Sequence, residues 1–118
     1  MELSTTHLRY LMAIYDLSLQ KQTISSVEVA KALGVQKPSV NKMLENLREK
    51  GLVEKVRYGK IALTEEGCGI ASRCRAQMVR ISNHFPEMGL ELTRKETLLA
   101  ASALIAALPQ RYWNAEWT

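Results

Sequence analysis

Long apolar runs are missing from this sequence of 118 residues. No stretch of about 18 consecutive apolar residues occurs, which is the minimum for a membrane-spanning helix. The first residues also lack the basic segment followed by an apolar segment that marks a secretory signal peptide. We therefore expect a protein that has no membrane partner and acts in the cytoplasm.

Cysteine is scarce, with only Cys68 and Cys74 in the chain. Two cysteines do not make a disulfide framework, and these two lie on different faces of one predicted helix. Cys/His clusters and glycine-rich phosphate loops are missing too. The two histidines, His7 and His84, lie far apart, with no Ser or Cys nucleophile motif beside either. We therefore expect no catalytic site and predict that the chain is not an enzyme.

What the sequence does contain is enough apolar material for one compact domain, with 47% hydrophobic residues. Its formal net charge of +4 is unevenly distributed. Residues 37–60 carry seven Lys or Arg and three Glu, a local surplus as large as that of the whole chain. A local basic excess is expected for a polyanionic partner. The alternative is a solvated surface of mixed charge.

Two short helices separated by a tight turn are predicted between residues 25 and 50. Ser25 and Glu28 match a capping box, in which each side chain accepts from the other residue's backbone N–H. Gly34 ends the first helix, because glycine adopts the left-handed conformation without a Cβ penalty. Pro38 fits the first turn of the second helix. This arrangement is typical of a helix-turn-helix.

The second helix, residues 37–50, has two different faces. Its apolar stripe consists of Val40, Met43, Leu44 and Leu47. In a helix-turn-helix the N-terminal residues of this helix reach base edges in the major groove. Asn and Gln can pair bidentately with adenine, Ser suits either base type, and Lys suits guanine or phosphate. The candidate base-reading residues are Gln36, Pro38, Ser39, Asn41 and Lys42. The alternative is a surface helix whose polar face meets only water.

A β-hairpin is predicted over residues 52–64, where two short β-branched runs flank Tyr58 and Gly59. A hairpin directly after a helix-turn-helix is interpreted as a wing. The predicted partner is double-stranded DNA. The candidate phosphate contacts are Lys37, Arg57, Tyr58 and Lys60.

Two further helices are predicted after the wing, the first capped by Thr64 and the second opened by a capping box at Thr93 and Glu96. The second, residues 94–108, is apolar on nearly all sides, so it must be buried on several sides. In so small a chain, the natural second partner is the same helix of another subunit. We therefore predict a homodimer. Its candidate contacts, beside the first helix, are Leu98, Leu104, Ile105 and Leu108.

The expected fold class is mostly α with a small β-hairpin wing, a winged helix-turn-helix followed by a helical dimerisation region. We expect the DNA-binding domain to span residues 1–67 and the dimerisation region residues 68–118. The last residues include Trp113 and Trp117, four apart and on one face if the tail is helical. We expect both indoles to pack onto the dimerisation region.

The segments "IYDL" and "VEVAKALGVQKPSVNKMLENLREKGLVEKVRYGKIALTEEG" resemble the diphtheria-toxin-repressor family of metal-dependent bacterial transcription regulators. The nearest branch is that of the manganese-transport regulators, and the resemblance runs without gaps from about residue 6 to about residue 108. It implies a homodimeric winged helix-turn-helix regulator, bacterial or archaeal, that reads a palindromic operator. In such proteins a divalent metal switches DNA binding on.

The resemblance also places the metal ligands of the family, and here the sequence departs from it. The matching positions are Arg9, Met12, Met78, Ala100, Ala103 and Leu104. Manganese and similar hard ions prefer carboxylate and imidazole ligands, which none of these residues supplies. We therefore expect no metal cofactor, and DNA binding that is independent of manganese and iron. The alternatives are a soft metal held by Met12 and Met78 near Cys74, or an organic effector at a non-standard site.

Two expectations concern the former metal cavity. Either helix 94–108 fills it, or Arg9 pairs with a nearby carboxylate and holds it closed. Two classes of function remain: a DNA-binding regulator, most simply a repressor, and a winged-helix module that binds proteins. The basic helix and wing favour the regulator.

Overall fold

The computed structural model describes residues 3–112 and confirms the predicted fold class of mostly α structure with one small hairpin. Within residues 3–112, and besides three short 3-10 turns, five α-helices and two strands follow one another. They are α1 (Thr5–Ser18), α2 (Ser26–Leu33), α3 (Lys37–Glu49), β1 (Val53–Lys55), β2 (Ile61–Leu63), α4 (Glu65–Ser82) and α5 (Arg94–Ala107). No helix within the described range is long and apolar enough to cross a membrane.

Side chains cap α2, α4 and α5 at the residues that the sequence predicted, Ser25, Thr64 and Thr93. At α2 the backbone N–H of Glu28 donates to Ser25 Oγ at 3.2 Å, and that of Ser25 donates to Glu28 Oε1 at 3.1 Å. Thr93 and Glu96 form the same reciprocal pair at α5. At α1 the cap is Ser4, whose partner three residues later is a histidine, His7. These caps satisfy N–H groups that have no partner inside the helix.

The turn between α2 and α3 has the predicted glycine geometry. Gly34 is left-handed, with φ of 67°, and Pro38 lies in the first turn of α3. Val40, Leu44 and Leu47 are buried, which confirms the apolar stripe of α3 and fixes which face of the helix meets solvent.

The wing is a two-stranded antiparallel hairpin in which Val53 pairs with Leu63 and Lys55 with Ile61. Ile24, in the loop before α2, forms two backbone hydrogen bonds of 2.8 Å with Ile61. These two bonds attach β2, the inner strand of the wing, to the loop before the helix-turn-helix. They hold the loop, the helix-turn-helix and the wing in one fixed arrangement.

The junction between α3, the wing and α4 is tied by one residue, Thr64. Its hydroxyl donates to the carbonyl of Gly51 at 2.7 Å and accepts from the N–H of Gly67 at 3.1 Å. Its own N–H donates to the carbonyl of Leu52 at 3.1 Å. A Cβ at Gly67 would lie only 2.0 Å from that carbonyl oxygen. The sequence therefore needs glycine there to let α4 approach the wing.

The core is centred on α1, whose Leu8, Leu11 and Ile14 are fully buried. Helix α4 buries Cys74, and burial raises the pKa of this thiol to about 11. Cys68 on the same helix is exposed, so the two cysteines do lie on different faces.

The burial of one residue of α5, Ile105, corrects the list of predicted dimer contacts. Ile105 is fully buried within the subunit, beside Ala101 on the same inward face. It is therefore unavailable to a second subunit. Leu98 and Leu104 are exposed by 39% and 43% of their surface, and Leu108 is half-buried.

Gly67→Ala is expected to lower the free energy of unfolding by about 2–3 kcal/mol, because the new methyl group forces α4 away from the backbone of Leu52. Gly69→Ala is the matched control in the same helix. Its Cβ meets only the flexible end of Arg73 at 3.2 Å, so helix propensity should stabilise it by about 0.5–1 kcal/mol. Urea unfolding followed by circular dichroism measures both, and equal effects would contradict the close approach.

Glu28 gives the fold a predictable dependence on acid. Lys21 approaches its carboxylate at 2.6 Å, and this contact and the backbone N–H of Ser25 lower the pKa of Glu28 from 4.5 to about 2. Since the folded pKa is depressed, the stabilisation is present above about pH 4.5 and is lost as pH falls towards 2.

Glu28→Gln keeps an acceptor for Ser25 but removes the charge. The variant should therefore lose less stability than the parent chain between pH 4.5 and 2. Thermal unfolding across this range tests the expectation, with the exposed Glu91→Gln as control. Parallel pH profiles for parent and Glu28→Gln would show that the ion pair contributes nothing.

Candidate nucleic-acid interface

The first two turns of α3 present a continuous polar surface. Because the apolar stripe faces the core, the opposite side of the helix must meet solvent. All of the predicted base-reading residues are exposed there, together with one predicted phosphate contact: Gln36, Lys37, Pro38, Ser39, Asn41 and Lys42. The structure thus brings these six residues together at one end of one helix.

The start of α3 has no side-chain cap. Gln36 occupies the N-cap position but its side chain makes no capping hydrogen bond. The amide group of Gln36 is therefore available to a ligand, and so are the first N–H groups of the helix. Backbone N–H groups at a helix start suit the phosphates of a nucleic acid.

The tip of the wing projects into solvent through Arg57 and Tyr58, both exposed, while Lys60 is half-buried. Tyr58 is 93% exposed and has φ of 62°, in the left-handed region. This conformation costs a residue other than glycine about 1–2 kcal/mol. Tyr58 and the left-handed Gly59 are the two central residues of the tight hairpin turn, which the N–H of Lys60 closes by donating to the carbonyl of Arg57. The turn leaves the tyrosine ring in solvent at the end of the wing.

A cavity of about 350 Å³ separates α3 from the wing, and Glu45 lies in its wall. Its carboxylate forms ion pairs with Arg48 and, at 3.6 Å, with Lys55. Hydrogen bonding to Arg48 lowers the pKa of Glu45, so the pair stays charged. Two of the seven basic residues are thus partly neutralised within the protein.

The remaining five basic residues of this region make no ion pair with any residue in the described range. They are Lys37, Lys42, Lys50, Arg57 and Lys60. Their charge is available to a polyanion. Counting charges in the sequence did not distinguish these five residues from the paired Arg48 and Lys55. The pair of Glu45 and Arg48 could have been predicted, because residues three apart on a helix form ion pairs.

One polar residue of α3 has a structural role that the sequence did not reveal. Asn46 accepts at Oδ1 from Nε2 of His7, at 2.9 Å. The backbone N–H of Ser4 donates to Nδ1 of His7 at 2.9 Å, which places the proton of the neutral ring on Nε2. This contact ties α1 to α3. Since the two residues are 39 positions apart, no local pattern could have predicted it.

The matched metal-ligand positions separate into two groups in space. Arg9, Met12 and Met78 line one cavity of about 470 Å³ between α1, α2, α4 and α5. Ala103 and Leu104 are exposed, and neither they nor Ala100 line this cavity. The residues that α5 contributes to the lining are Lys95, Leu98, Leu99 and Ser102.

Both expectations about this cavity are wrong. Helix α5 does not fill it, because small residues and the exposed Leu98 and Leu99 leave the space open. Arg9 makes no ion pair within the described residues, since the one carboxylate in the lining, Asp16, pairs with Arg75.

The lining does not fit a hard divalent ion. Residues 3–112 contain no group of three or more His, Cys, Asp or Glu that could hold a metal ion. The one carboxylate is engaged by Arg75, and further cations stand beside it. A soft-metal site is also poorly supported, because Cys74 is absent from the lining and the raised pKa of its thiol disfavours the thiolate. Trp113 and Trp117 lie outside the described residues.

Comparison with known proteins supplies the family context. The model of the family "Iron dependent repressor, N-terminal DNA binding domain" matches residues 2–61. The transcriptional regulator MntR of Escherichia coli O6:H1 is 32% identical over 89 residues, and that of Salmonella typhimurium is 29% identical over the same length. Each match covers 74% of this chain and 57% of the relative, so the chain spans little more than half the length of these relatives.

Solved structures share the fold. The IdeR crystal structure from T. acidophilum superposes with a TM-score of 0.69 at 21% identity, covering 90% of this chain and 49% of its own. A point mutant of ZitR from Lactococcus lactis gives a TM-score of 0.61 at 21% identity, covering 90% of this chain and 73% of its own. The matched relatives are named as transcriptional regulators, in agreement with the prediction of a non-enzymatic chain.

Proposed function

Because the chain belongs to the iron-dependent repressor family, we propose that it is a dimeric transcription regulator, acting as a repressor, which reads a palindromic operator without manganese or iron. The observation that carries the proposal is the exposed polar start of α3 together with the exposed, basic tip of the wing, which face the same cavity through Asn41 and Gly59. In this proposal residues 1–67 form the DNA-binding domain and residues 68–118 the dimerisation region, with part of α1 adding to the dimer contact.

The two turns at the start of α3 are proposed to enter the major groove. Gln36, Ser39 and Asn41 have short hydrogen-bonding groups suited to base edges, and Lys42 suits guanine or phosphate. Pro38, exposed in the first turn of α3, is proposed to lie against the bases. Lys37 and the wing residues Arg57, Tyr58 and Lys60 are proposed to contact phosphates, which fix position without reading sequence.

Asn41→Ala should reduce discrimination between the selected operator and an altered one by about 1–3 kcal/mol, because a bidentate base contact is lost. Lys60→Ala should instead weaken binding to all sequences alike and lower the slope of log affinity against log salt. Fluorescence anisotropy on duplexes chosen by in vitro selection measures both.

Each variant serves as control for the other, because one removes a base contact and the other a phosphate contact. If Asn41→Ala changes neither affinity nor preference, the docking of α3 is wrong. If selection enriches no duplex at all, the chain is better explained as a protein-binding winged-helix module.

The dimer is proposed to use the exposed apolar residues of α4 and α5 together with part of α1. Val79, Leu99 and Leu104 are exposed by 51%, 44% and 43%. Leu98 and Leu108, predicted from the sequence, remain candidates, whereas the buried Ile105 is withdrawn. Covering such side chains removes apolar surface from water, and a two-fold dimer would match a palindromic operator.

Light scattering should therefore find a dimer at micromolar concentration, and Leu104→Glu should shift it to monomer, because a carboxylate is buried without a partner. Val27→Glu is the matched control, since Val27 is equally exposed at 45% but lies on α2. A monomeric parent chain would contradict the dimer, and dissociation of both variants would contradict its position.

Metal independence is proposed from the cavity lining, which offers one engaged carboxylate and no imidazole. Loss of even one residue that supports a ligand typically costs about 10–100-fold in metal affinity. Operator affinity at fixed salt should therefore be the same in EDTA and with added Mn(II) or Fe(II). A gain of about tenfold or more, reversed by chelation, would show that the ligands lie elsewhere in the chain.

A further inference from the structure

The cavity of about 470 Å³ between α1, α2, α4 and α5 combines basic and apolar side chains in its lining. We infer that it binds a small organic anion, one carboxylate attached to an aryl or branched alkyl body, as the effector of this regulator. The inference of a regulatory role rests on the proposed function, whereas binding of the anion does not.

The charge of the lining selects an anion. Arg9, Lys31 and Lys95 each reach the cavity, and none forms an ion pair with another residue in the described range. The fourth cation, Arg75, is paired with Asp16. The lining thus carries a surplus of three positive charges, which repels a metal cation and attracts a carboxylate.

The rest of the lining selects an apolar body. Met12 and Met78 are buried side chains, and Leu17, Leu98 and Leu99 also belong to the apolar part of the wall. Methionine adapts to ligands of irregular shape because its side chain is unbranched and polarisable. The volume falls within the range of about 300–1,000 Å³ that is usual for sites of organic ligands. An inorganic anion would leave most of this wall uncovered.

The position of the cavity provides the link to DNA binding. Ala32, Leu33 and Gly34 belong to its lining, and they form the end of α2 and the turn that leads to α3. Leu98 and Ser102, which belong to α5, line another side of the cavity. A ligand held between the two sides therefore contacts both the DNA-reading motif and the proposed dimerisation region. A ligand that favours one spacing of these parts shifts the population of DNA-binding conformers.

The binding test compares three probes on the full chain by isothermal titration calorimetry. The first is 1-naphthoate, an anion with an aryl body; the second is 1-naphthalenemethanol, its neutral counterpart; the third is inorganic phosphate. We expect saturable binding of one naphthoate per chain, with the alcohol about fivefold to tenfold weaker and phosphate without saturable binding. Equal affinity for naphthoate and the alcohol would overturn the charge selection, and absence of naphthoate binding would overturn the site.

Variants locate the binding within the molecule. Lys95→Gln and Arg9→Gln should each weaken naphthoate binding about fivefold to tenfold, because each removes one charged partner of the carboxylate. Arg94→Gln is the matched control, one position before Lys95 on the same helix, exposed and outside the lining. An equal loss in Arg94→Gln would place the anion elsewhere.

Ser102→Leu fills the cavity from α5 and should abolish naphthoate binding without changing any charge. If this variant fails to fold, the two charge variants still decide. Duplex affinity in the absence of naphthoate is measured separately by anisotropy. A chain that binds duplex but not naphthoate overturns only the effector site, and a chain that binds naphthoate but no duplex overturns only the proposed function.

Discussion

Burial of α1 is the constraint on which the other elements depend. The helix contacts α2, α3, α4, α5 and the inner strand of the wing. Its Leu8, Leu11 and Ile14 are fully buried, and each such side chain contributes about 1.5–3 kcal/mol through removal from water. Neither the helix-turn-helix nor the pair α4 and α5 could cover α1 alone. The two parts of the chain therefore share one core, and the cavity beside α1 is lined by residues of both.

Most of the fold could be predicted because its signals are local. Capping at Ser25 and Thr93, the left-handed turn at Gly34 and the apolar stripe of α3 each depend on residues within one or two helical turns. The exposed polar face of α3 followed from that stripe, since the side opposite a buried face must meet solvent. The wing could also be predicted from neighbouring residues alone, because a short turn brings its two strands together.

The polar contacts and the orientation of α5 could not be predicted in the same way. His7 meets Asn46 across 39 positions, and only the assembled fold brings them together. Helix α5 is apolar on nearly all sides, so its sequence does not indicate which side faces inward. The structure turns Ala101, Ser102 and Ile105 to the core, where small side chains permit close packing. The α5 positions that the resemblance matched to metal ligands, Ala100, Ala103 and Leu104, therefore lie outside the cavity lining.

The hydrogen bonds of Thr64 have a mechanical consequence. The hydroxyl of Thr64 joins Gly51, at the end of α3, to Gly67 in the first turn of α4. The backbone N–H of Thr64 donates to the carbonyl of Leu52, at the base of the wing. Three hydrogen bonds made by one residue resist bending between these elements. Rotation of α4 would therefore move the wing and the end of α3 with it as one rigid unit. Compliance in the described chain would then concentrate in the connection between α4 and α5, where residues 83–93 contain only one short 3-10 turn.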